Sequence, residues 1–232
     1  MMPVAILAGG LATRLRPKTE KIPKSLLTIA GKPFISWQLK DLAEKGIKHV
    51  VICAGHLGNQ IENYVGTGSQ WGLEVKYSHD GNKLLGTGGA LKKAAPLLGD
   101  NFFVLYGDSY LPIQFDLVEM AFIRQEKPGM MVIYHNQNRL DRSNIHYERG
   151  DLIKYSKTEY SHKMEYIDYG LSVLSSGILE RIKSGERYDL GDIFEQQVSQ
   201  KNIAAFVVGE RFYEIGSQAG LLDCEEFIME KD

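Results

Sequence analysis

The chain has 232 residues, of which 44% are apolar and 24% charged, and this composition is ordinary for a globular protein with a sizeable core. Its formal net charge of −2 argues against nucleic acid as the main partner, because proteins that bind a duplex usually carry a strong basic excess. Cys53 and Cys224 lack a CxxC spacing, which argues against a zinc site or a disulfide framework and favours buried thiols. The sequence shows neither a signal peptide nor an apolar run of membrane-spanning length, so we expect a cytoplasmic protein without a membrane partner.

The first half of the chain alternates predicted strands with predicted helices. Strands are expected at residues 4–7, 47–53, 73–78 and 102–106, and helices at 34–45, 58–65 and 88–98. This alternation predicts an α/β fold with a mixed, mostly parallel sheet that is doubly wound in the Rossmann-like manner. Ligands of such sheets bind beyond the carboxyl ends of the strands, where the Gly9-Gly10 loop and Asp108 both fall.

The second half of the chain follows a different pattern. Strands are expected at residues 130–134, 144–147, 152–155 and 166–174, and helices at 188–200 and 217–229. Because few helices separate these strands, they predict a small antiparallel lobe. No repeat or linker divides the chain, so we expect one domain over residues 1–232, with a first half to about residue 128 and a second from about 129.

A glycine-rich loop follows the first predicted strand. Gly9 and Gly10 end the apolar run, and Arg14 and Lys24 add positive charge after them. Small residues after a strand allow the backbone to approach a phosphate group closely, so this combination favours phosphate binding over an ordinary tight turn. The spacing is neither the GxGxxG fingerprint of dinucleotide-binding proteins nor the GxxxxGK[ST] pattern of the Walker A loop.

A carboxylate follows the fourth predicted strand. Asp108 lies just past the run at 102–106, and Mg²⁺ in proteins prefers carboxylate and phosphate oxygens. An aspartate that only forms a turn after Gly107 is the alternative. The position at a strand end, where the ligand cleft is predicted, favours the metal site.

These features resemble the sugar-1-phosphate nucleotidyltransferase family. The family opens with LAGGxGTRLxPxTxxxPKxLxxxxGKP, and residues 7–33 are LAGGLATRLRPKTEKIPKSLLTIAGKP, with Ala12 in place of the usual glycine. The resemblance implies a GT-A-like nucleotidyltransferase fold and a Mg²⁺-dependent reaction of an NTP with a sugar 1-phosphate, which gives an NDP-sugar and pyrophosphate. It also implies that Arg14, Lys24 and Asp108 are catalytic, with the two cations on the phosphates and the carboxylate on the metal.

A second glycine-rich stretch, LGTGGAL at residues 85–91, resembles the LGTxGA segment with which the family contacts the nucleobase and the sugar. By itself it fits a helix N-terminus capped by Thr87 equally well. The doubled glycine is most similar to the heptose-1-phosphate and mannose-1-phosphate guanylyltransferase branch, which implies GTP as the nucleotide. The residues expected to bind the nucleotide are Leu7, Ala8, Gly9, Gly10, Thr13, Arg14, Lys24, Gly86, Thr87 and Gly88.

The resemblance also implies a second metal ligand and a sugar side. Glu214 stands where the family often has the aspartate of Asp-x-Gly-Thr, and it is expected to hold Mg²⁺ together with Asp108. Lys157 aligns with a lysine that binds the sugar phosphate, and Asp168 and Gly170 align with the strand that contacts the sugar. The residues expected to bind the sugar phosphate are Gly107, Lys157, Asp168 and Gly170.

Other functions stay open at this point. An α/β glycosyltransferase would normally show Asp-x-Asp, whereas Ser109 and Tyr110 follow Asp108 here. A non-catalytic nucleotide-sugar sensor and a uridylyl- or cytidylyltransferase are further alternatives. A choline-phosphate cytidylyltransferase would need an aromatic cage for the quaternary ammonium group. The candidates for such a cage are Tyr147, Tyr155, Tyr166 and Tyr169. The oligomeric state is open as well, a homo-oligomer included.

Overall fold

The computed structural model describes residues 1–231. Within them, thirteen strands and six α-helices form the fold. The strands are β1 (Val4–Leu7), β2 (Thr28–Ile29), β3 (Lys32–Pro33), β4 (His49–Ala54), β5 (Glu74–His79), β6 (Asn101–Tyr106), β7 (Ser109–Tyr110), β8 (Gly129–His135), β9 (Ile145–Glu148), β10 (Asp151–Tyr155), β11 (Tyr166–Ser175), β12 (Ile203–Val208) and β13 (Tyr213–Glu214). The helices are α1 (Phe34–Glu44), α2 (Gly58–Val65), α3 (Gly86–Ala94), α4 (Phe115–Arg124), α5 (Leu190–Ser199) and α6 (Gln218–Lys231).

Nine of the strands form one mixed sheet. Seven of them lie in the order β10, β9, β11, β6, β1, β4, β5, while β8 pairs with β11 and β12 pairs with β8. The central strands β6, β1, β4 and β5 run parallel, whereas β11 is antiparallel to both β6 and β8. Two small antiparallel sheets, β2 with β3 and β7 with β13, lie apart from it. The predicted fold class, α/β with a mostly parallel central sheet, is confirmed.

Helices cover both faces of this sheet, as a doubly wound fold requires. On one face, α1, α2 and α4 pack through buried residues such as Leu39, Ile61 and Val118. On the other face, α3 and α5 pack through Leu91 and Phe194. Burial of one such side chain stabilises the fold by roughly 1.5–3 kcal/mol. These two apolar layers therefore fix the helices on the sheet.

The order in which successive strands are placed in the sheet reverses at β1. From β1 it proceeds through β4 to β5 on one side, and it then returns to place β6 on the other side of β1. Leu7, the last residue of β1, is in register with both Cys53 and Tyr106. The carboxyl ends of the four parallel strands therefore meet at one edge, and the crevice at such a reversal is where open α/β sheets bind ligands.

The sequence pattern does not predict α4 and β12. The apolar residues of α4 do not show a helical period, because Leu117, Met120 and Ile123 are apolar although they lie on its exposed side. The apolar run of β12 is short, and strands of this kind are hard to recognise without alternation. β12 runs parallel to β8, so the expectation of an antiparallel second half is wrong for this strand. The antiparallel strands of that half extend the central sheet through β11.

Both cysteines are free and buried, as predicted. Burial raises the pKa of each thiol to about 12, so Cys53 and Cys224 stay protonated near neutral pH and do not act as nucleophiles. Each helix within residues 1–231 falls short of the length and apolarity that a membrane span requires.

Candidate active site

A cleft of about 430 Å³ opens at the edge where the four parallel strands end. Its walls come from the loops after β1 and β6, from the end of β4 and from the residue after β5. Among the predicted site residues, those that line it are Leu7, Ala8, Gly9, Gly10, Thr13, Lys24, Gly86, Thr87, Gly107 and Asp108. Those that lie outside its lining are Arg14, Gly88, Lys157, Asp168, Gly170 and Glu214. A cleft of this volume is within the range of small-molecule sites.

Gly9 and Gly10 have different roles in the loop after β1. A Cβ at Gly9 would stand 3.0 Å from the amide nitrogen of Gly55, because this loop crosses the end of β4 at close range. The carbonyl of Gly9 accepts a hydrogen bond from the amide of His56 at 3.3 Å. Within residues 1–231, no atom lies within 4 Å of a Cβ built at Gly10. Gly9 therefore serves the packing of two loops, whereas Gly10 leaves its part of the cleft open to a ligand.

Gly9→Ala and Gly10→Ala should separate stability from binding. Gly9→Ala should lower the free energy of unfolding by about 1–3 kcal/mol, because its methyl group would press on backbone. Gly10→Ala should change that free energy by less than about 0.5 kcal/mol. It should nevertheless weaken nucleotide binding about tenfold, because the methyl group occupies space that the phosphates need. Urea unfolding and nucleotide titration measure both effects, and normal nucleotide affinity in Gly10→Ala would contradict a phosphate role for this loop.

Ala12 and Arg14 follow the two glycines in the same loop. Ala12 adopts the left-handed conformation, with φ 48° and ψ 42°, which costs a residue with a Cβ about 1–2 kcal/mol. Its carbonyl accepts hydrogen bonds from the hydroxyl of Thr19 at 2.8 Å and from the amide of Leu15 at 3.2 Å, and these bonds hold the turn. Arg14 follows in a 3-10 turn with its side chain exposed, outside the lining of the cleft but next to Thr13, which belongs to that lining.

Lys24 and Asp108 form an ion pair inside the cleft. Nζ of Lys24 donates to Oδ2 of Asp108 at 2.6 Å, and the two side chains are 24% and 31% exposed. Lys24 begins the 3-10 turn Lys24–Leu26, whose second residue, Ser25, has a buried hydroxyl without a partner in the described part of the chain. The arrangement can offer a cation to a phosphate group and a carboxylate to a metal ion.

Glu214 lies beside Asp108 without lining the cleft. β13 pairs with β7, and the amide of Ile215 donates to the backbone carbonyl of Asp108 at 2.9 Å. A Cβ at Gly216 would touch Oε2 of Glu214 and would stand 3.7 Å from Oδ2 of Asp108. Oε1 of Glu214 accepts a hydrogen bond from the hydroxyl of Ser217 at 3.0 Å. The two carboxylates that the family resemblance pairs as metal ligands are therefore neighbours, with Glu214 on β13 and Asp108 directly before its partner strand β7.

Thr87 links the cleft to the start of α5. It lies in the first turn of α3, which no side chain caps in the structure described, and its hydroxyl accepts a hydrogen bond from the amide of Leu190 at 2.8 Å. Asp189 caps α5 by accepting from the amide of Gly191 at 2.7 Å. Burial alone would raise the pKa of Asp189, but Lys157, the Gly191 amide and the Thr87 hydroxyl lower it overall. The cap therefore stays ionised at neutral pH.

The doubled glycine of the second loop has a packing role. The amide of Gly88 donates to the carbonyl of Tyr188 at 2.9 Å, so it is already engaged within the protein. A Cβ at Gly88 or at Gly89 would meet the backbone of residues 186–190. The two glycines therefore let α3 approach the segment before α5, which explains them without reference to any particular nucleotide.

Three of the residues predicted for the sugar phosphate, Lys157, Asp168 and Gly170, lie outside the lining of the cleft and make polar contacts there, while Gly107 lines it. The hydroxyl of Tyr106, which lines the cleft, donates to Oδ2 of Asp168 at 3.2 Å. Oδ1 of Asp168 accepts from the amide of Gly170 at 3.0 Å. Burial raises the pKa of Asp168, although the Gly170 amide and Lys157 oppose the shift. Lys157 donates in turn to Oδ1 of Asp189 at 3.2 Å. This network adjoins the cleft through Tyr106.

Two charged residues of the cleft escape the sequence-based prediction. Oδ2 of Asp80 accepts from the amide of Leu85 at 3.0 Å, while its Oδ1 is buried without a partner in residues 1–231. Burial raises the pKa of this carboxyl group. Asp80 follows β5, so the strand-end argument that found Asp108 applies to it as well. Arg187 reaches the cleft from an irregular segment that no sequence pattern marks, and it makes no hydrogen bond or ion pair within the described chain.

The four tyrosines considered for an aromatic cage do not converge. Tyr155 and Tyr169 are fully buried and belong to apolar clusters on opposite faces of the sheet. Tyr147 and Tyr166 contact each other edge to face, with 5.1 Å between their ring centroids. Because a cage needs its rings around one point, these four tyrosines do not form the cage that the choline-phosphate alternative would need.

Known proteins resemble this chain over nearly its whole length. The sequence profile of the family described as Nucleotidyl transferase matches residues 4–231. The chain is 30% identical over 217 residues to UTP-glucose-1-phosphate uridylyltransferase of Synechocystis, covering 85% of this chain and 55% of that protein. It is 43% identical over 115 residues to N-acetylmuramate alpha-1-phosphate uridylyltransferase of Neisseria meningitidis, covering 49% of this chain and 50% of that protein. The chain thus spans about half the length of these two curated relatives.

Other similarities extend from end to end. D-glycero-alpha-D-manno-heptose 1-phosphate guanylyltransferase of Campylobacter jejuni is 26% identical over 216 residues, covering 93% of this chain and 95% of that protein. Among solved structures, HddC from Yersinia pseudotuberculosis complexed with GMP-PN superposes with a TM-score of 0.79 and 24% identity, covering 98% of this chain and 100% of that one. At this level of identity the structural likeness is one of fold.

Proposed function

We propose that this chain, which belongs to the nucleotidyl transferase family, transfers a nucleoside monophosphate from a nucleoside triphosphate to a sugar 1-phosphate and releases pyrophosphate. One observation carries the proposal: the Lys24–Asp108 pair lies in the same cleft as the open side of Gly10, where the parallel strands end. The relatives from Synechocystis, Neisseria and Campylobacter, each named for a reaction of this class, support it.

In the proposed reaction, an oxygen of the sugar 1-phosphate attacks the α-phosphorus of the nucleotide in line. The bond from the α-phosphorus to the oxygen that bridges to the β-phosphate breaks, and that oxygen keeps the electron pair as pyrophosphate leaves. The attacking phosphate is already anionic and needs no general base, so catalysis rests on positioning and on charge stabilisation. Lys24 would donate to the phosphate oxygens, and Arg14 and Arg187 would hold the triphosphate from the rim of the cleft.

The carboxylates of Asp108 and Glu214 fit a Mg²⁺ site. Mg²⁺ is commonly held by one or two carboxylates together with substrate phosphates. Within residues 1–231, no group of three or more His, Cys, Asp and Glu side chains could hold a metal ion by itself, so phosphate oxygens would complete the ligand set. A Mg²⁺ ion held there would supply positive charge to stabilise the phosphate oxygens during the reaction. Lys24 contributes separately, by binding phosphate oxygens as a fixed cation.

For the finer specificity, we propose GTP with a heptose or mannose 1-phosphate. The support is the Campylobacter guanylyltransferase, which corresponds to this chain over 95% of its own length. The doubled glycine adds nothing here, because it serves the packing of α3. Uridylyl transfer is a second candidate, favoured by the 43% identity to the Neisseria enzyme over half of each chain.

Pyrophosphate release tests both proposals. The four common NTPs would each be combined, in the presence of Mg²⁺, with the 1-phosphates of heptose, mannose, glucose and N-acetylmuramate. Turnover that requires GTP with heptose or mannose 1-phosphate is the expected result, whereas turnover with UTP alone would replace guanylyl by uridylyl transfer. If no pair gives turnover but an NDP-sugar binds in equilibrium dialysis, the proposed transferase activity is overturned and a non-catalytic nucleotide-sugar sensor is favoured.

A further inference from the structure

One side of α4 is both apolar and exposed. The helix packs against the sheet through Phe115, Val118 and Phe122. Its opposite side, called the α4 face, consists of the exposed residues Asp116, Leu117, Met120, Ile123 and Arg124. The side chains of Leu117, Met120 and Ile123 are 52%, 45% and 67% exposed. The outer side of a surface helix is usually polar, and a contiguous apolar patch marks an interaction site.

The residues of the α4 face are placed symmetrically about Met120. Asp116 lies four positions before it and Arg124 four positions after it, while Leu117 and Ile123 lie three before and three after. Residues three and four apart share one side of an α-helix, so the face presents an acid, three apolar residues and a base in line. In residues 1–231, the guanidinium group of Arg124 has no hydrogen bond or ion pair, and the Asp116 carboxylate accepts one bond, from the amide of Leu117.

We propose that the α4 face joins two copies of this chain in a two-fold homodimer. In an antiparallel pair of α4 helices with the axis at Met120, Leu117 of one copy meets Ile123 of the other. Asp116 of one copy then meets Arg124 of the other, and every contact occurs twice, as an isologous interface requires. The same arrangement brings opposite ends of the two helix dipoles together. The face thus opposes apolar residues to apolar residues and an acid to a base when it meets a second copy of itself.

The size of the face sets the strength of the dimer. α4 has 10 residues and is about 15 Å long, so the helix pair buries less than the roughly 1,600 Å² of a standard interface. We therefore expect a reversible dimer with a dissociation constant of about 10–100 µM. The α4 face does not contribute to the lining of the cleft, so loss of the dimer should leave turnover unchanged.

Exchange of the two charges tests the pairing. Sedimentation velocity up to about 300 µM should show a monomer–dimer equilibrium for the unaltered chain. Asp116→Arg and Arg124→Asp each place like charges opposite one another, so each should raise the dissociation constant about tenfold or more. The double variant restores opposite charges and should return to within about threefold of the unaltered chain. A chain that stays monomeric throughout, or single variants that dimerise normally, would overturn the proposal.

Cysteine cross-linking tests the position of the axis. Met120→Cys places a thiol next to its own copy, whereas Leu222→Cys on α6, 60% exposed, is the matched control away from the face. Cys53 and Cys224 are buried, so they should not react. Under mild oxidation we expect a disulfide-linked dimer from Met120→Cys only. If Met120→Cys links no more than Leu222→Cys, the axis does not pass at Met120 and the antiparallel pairing is wrong.

Discussion

Asp108→Asn should lower kcat/KM about a hundredfold to a thousandfold and leave the protein folded, because removal of one fixed electrostatic group at a reacting centre has effects of that size. Asp108 lies where β6 ends, and Nζ of Lys24 stands 2.6 Å from its Oδ2. Asparagine keeps the shape of the side chain but supplies no charge for a metal ion. Lys24 and Asp108 are both partly exposed, so their pair contributes only about 0–1 kcal/mol to stability. Lost activity would therefore not result from unfolding.

The matched control for this prediction is Asp100→Asn. Asp100 is exposed, its carboxylate makes no hydrogen bond or ion pair within residues 1–231, and it does not line the cleft, so the same chemical change is made outside the site. Pyrophosphate release and urea unfolding would be measured for all three proteins, and we expect Asp100→Asn to match the unaltered chain in both. An Asp108→Asn protein within about threefold of normal kcat/KM would remove Asp108 from the catalytic machinery.

The position of strand ends explains most of what could be predicted about the site. Gly9-Gly10 and Asp108 each follow a parallel strand, and the sheet brings them to one edge without any need to know the rest of the fold. The same argument extends to Asp80, which follows β5 and was overlooked because no phosphate-binding motif accompanies it. Lys24 follows no parallel strand, and its positive charge after the glycine-rich loop, together with the resemblance of residues 7–33 to a known family, is what marks it.

Long-range packing explains what could not be predicted. Arg187 reaches the cleft because residues 186–190 lie against Gly88 and Gly89, and that contact joins segments about a hundred residues apart. Lys157 and Asp168 were assigned to the sugar phosphate by alignment alone. In the structure, Asp168 does not line the cleft, and its side chain accepts a hydrogen bond from Tyr106, which does. Local sequence patterns carry no information about such contacts between distant segments.

The cleft is lined by two basic and two acidic side chains, Lys24, Arg187, Asp80 and Asp108. Lys24 and Asp108 neutralise one another, Arg187 has no partner in residues 1–231, and burial raises the pKa of Asp80. A raised pKa in the folded state means that this carboxyl group favours folding at low pH and that its contribution is lost as the pH rises through that pKa. A triphosphate in the cleft would meet Arg187, which has no partner in residues 1–231, and Lys24, which can exchange the carboxylate of Asp108 for a phosphate group.

Gly107→Ala should lower the free energy of unfolding by about 2–4 kcal/mol and abolish activity with it. The amide of Gly107 donates to the carbonyl of Leu7 at 3.0 Å, where the ends of β1 and β6 lie side by side. A Cβ at Gly107 would stand 2.6 Å from that carbonyl oxygen and 3.1 Å from Cα of Ala8. Both contacts are with backbone, so the overlap can be relieved only by moving β1 and β6 apart. That movement would also displace Asp108.

Gly177→Ala is the matched control, since no atom of the described residues lies within 4 Å of a Cβ built there. It should change the free energy of unfolding by less than about 0.5 kcal/mol. Urea unfolding of both variants, with the m-value fitted separately for each, separates the steric effect, which shifts the midpoint, from a change in the compactness of the unfolded chain, which changes the m-value. If Gly107→Ala unfolds at the normal midpoint and still releases pyrophosphate at the normal rate, the close contact between β1 and β6 is not what holds Asp108 in place. The carboxylate would then depend on the pairing of β7 with β13 for its position.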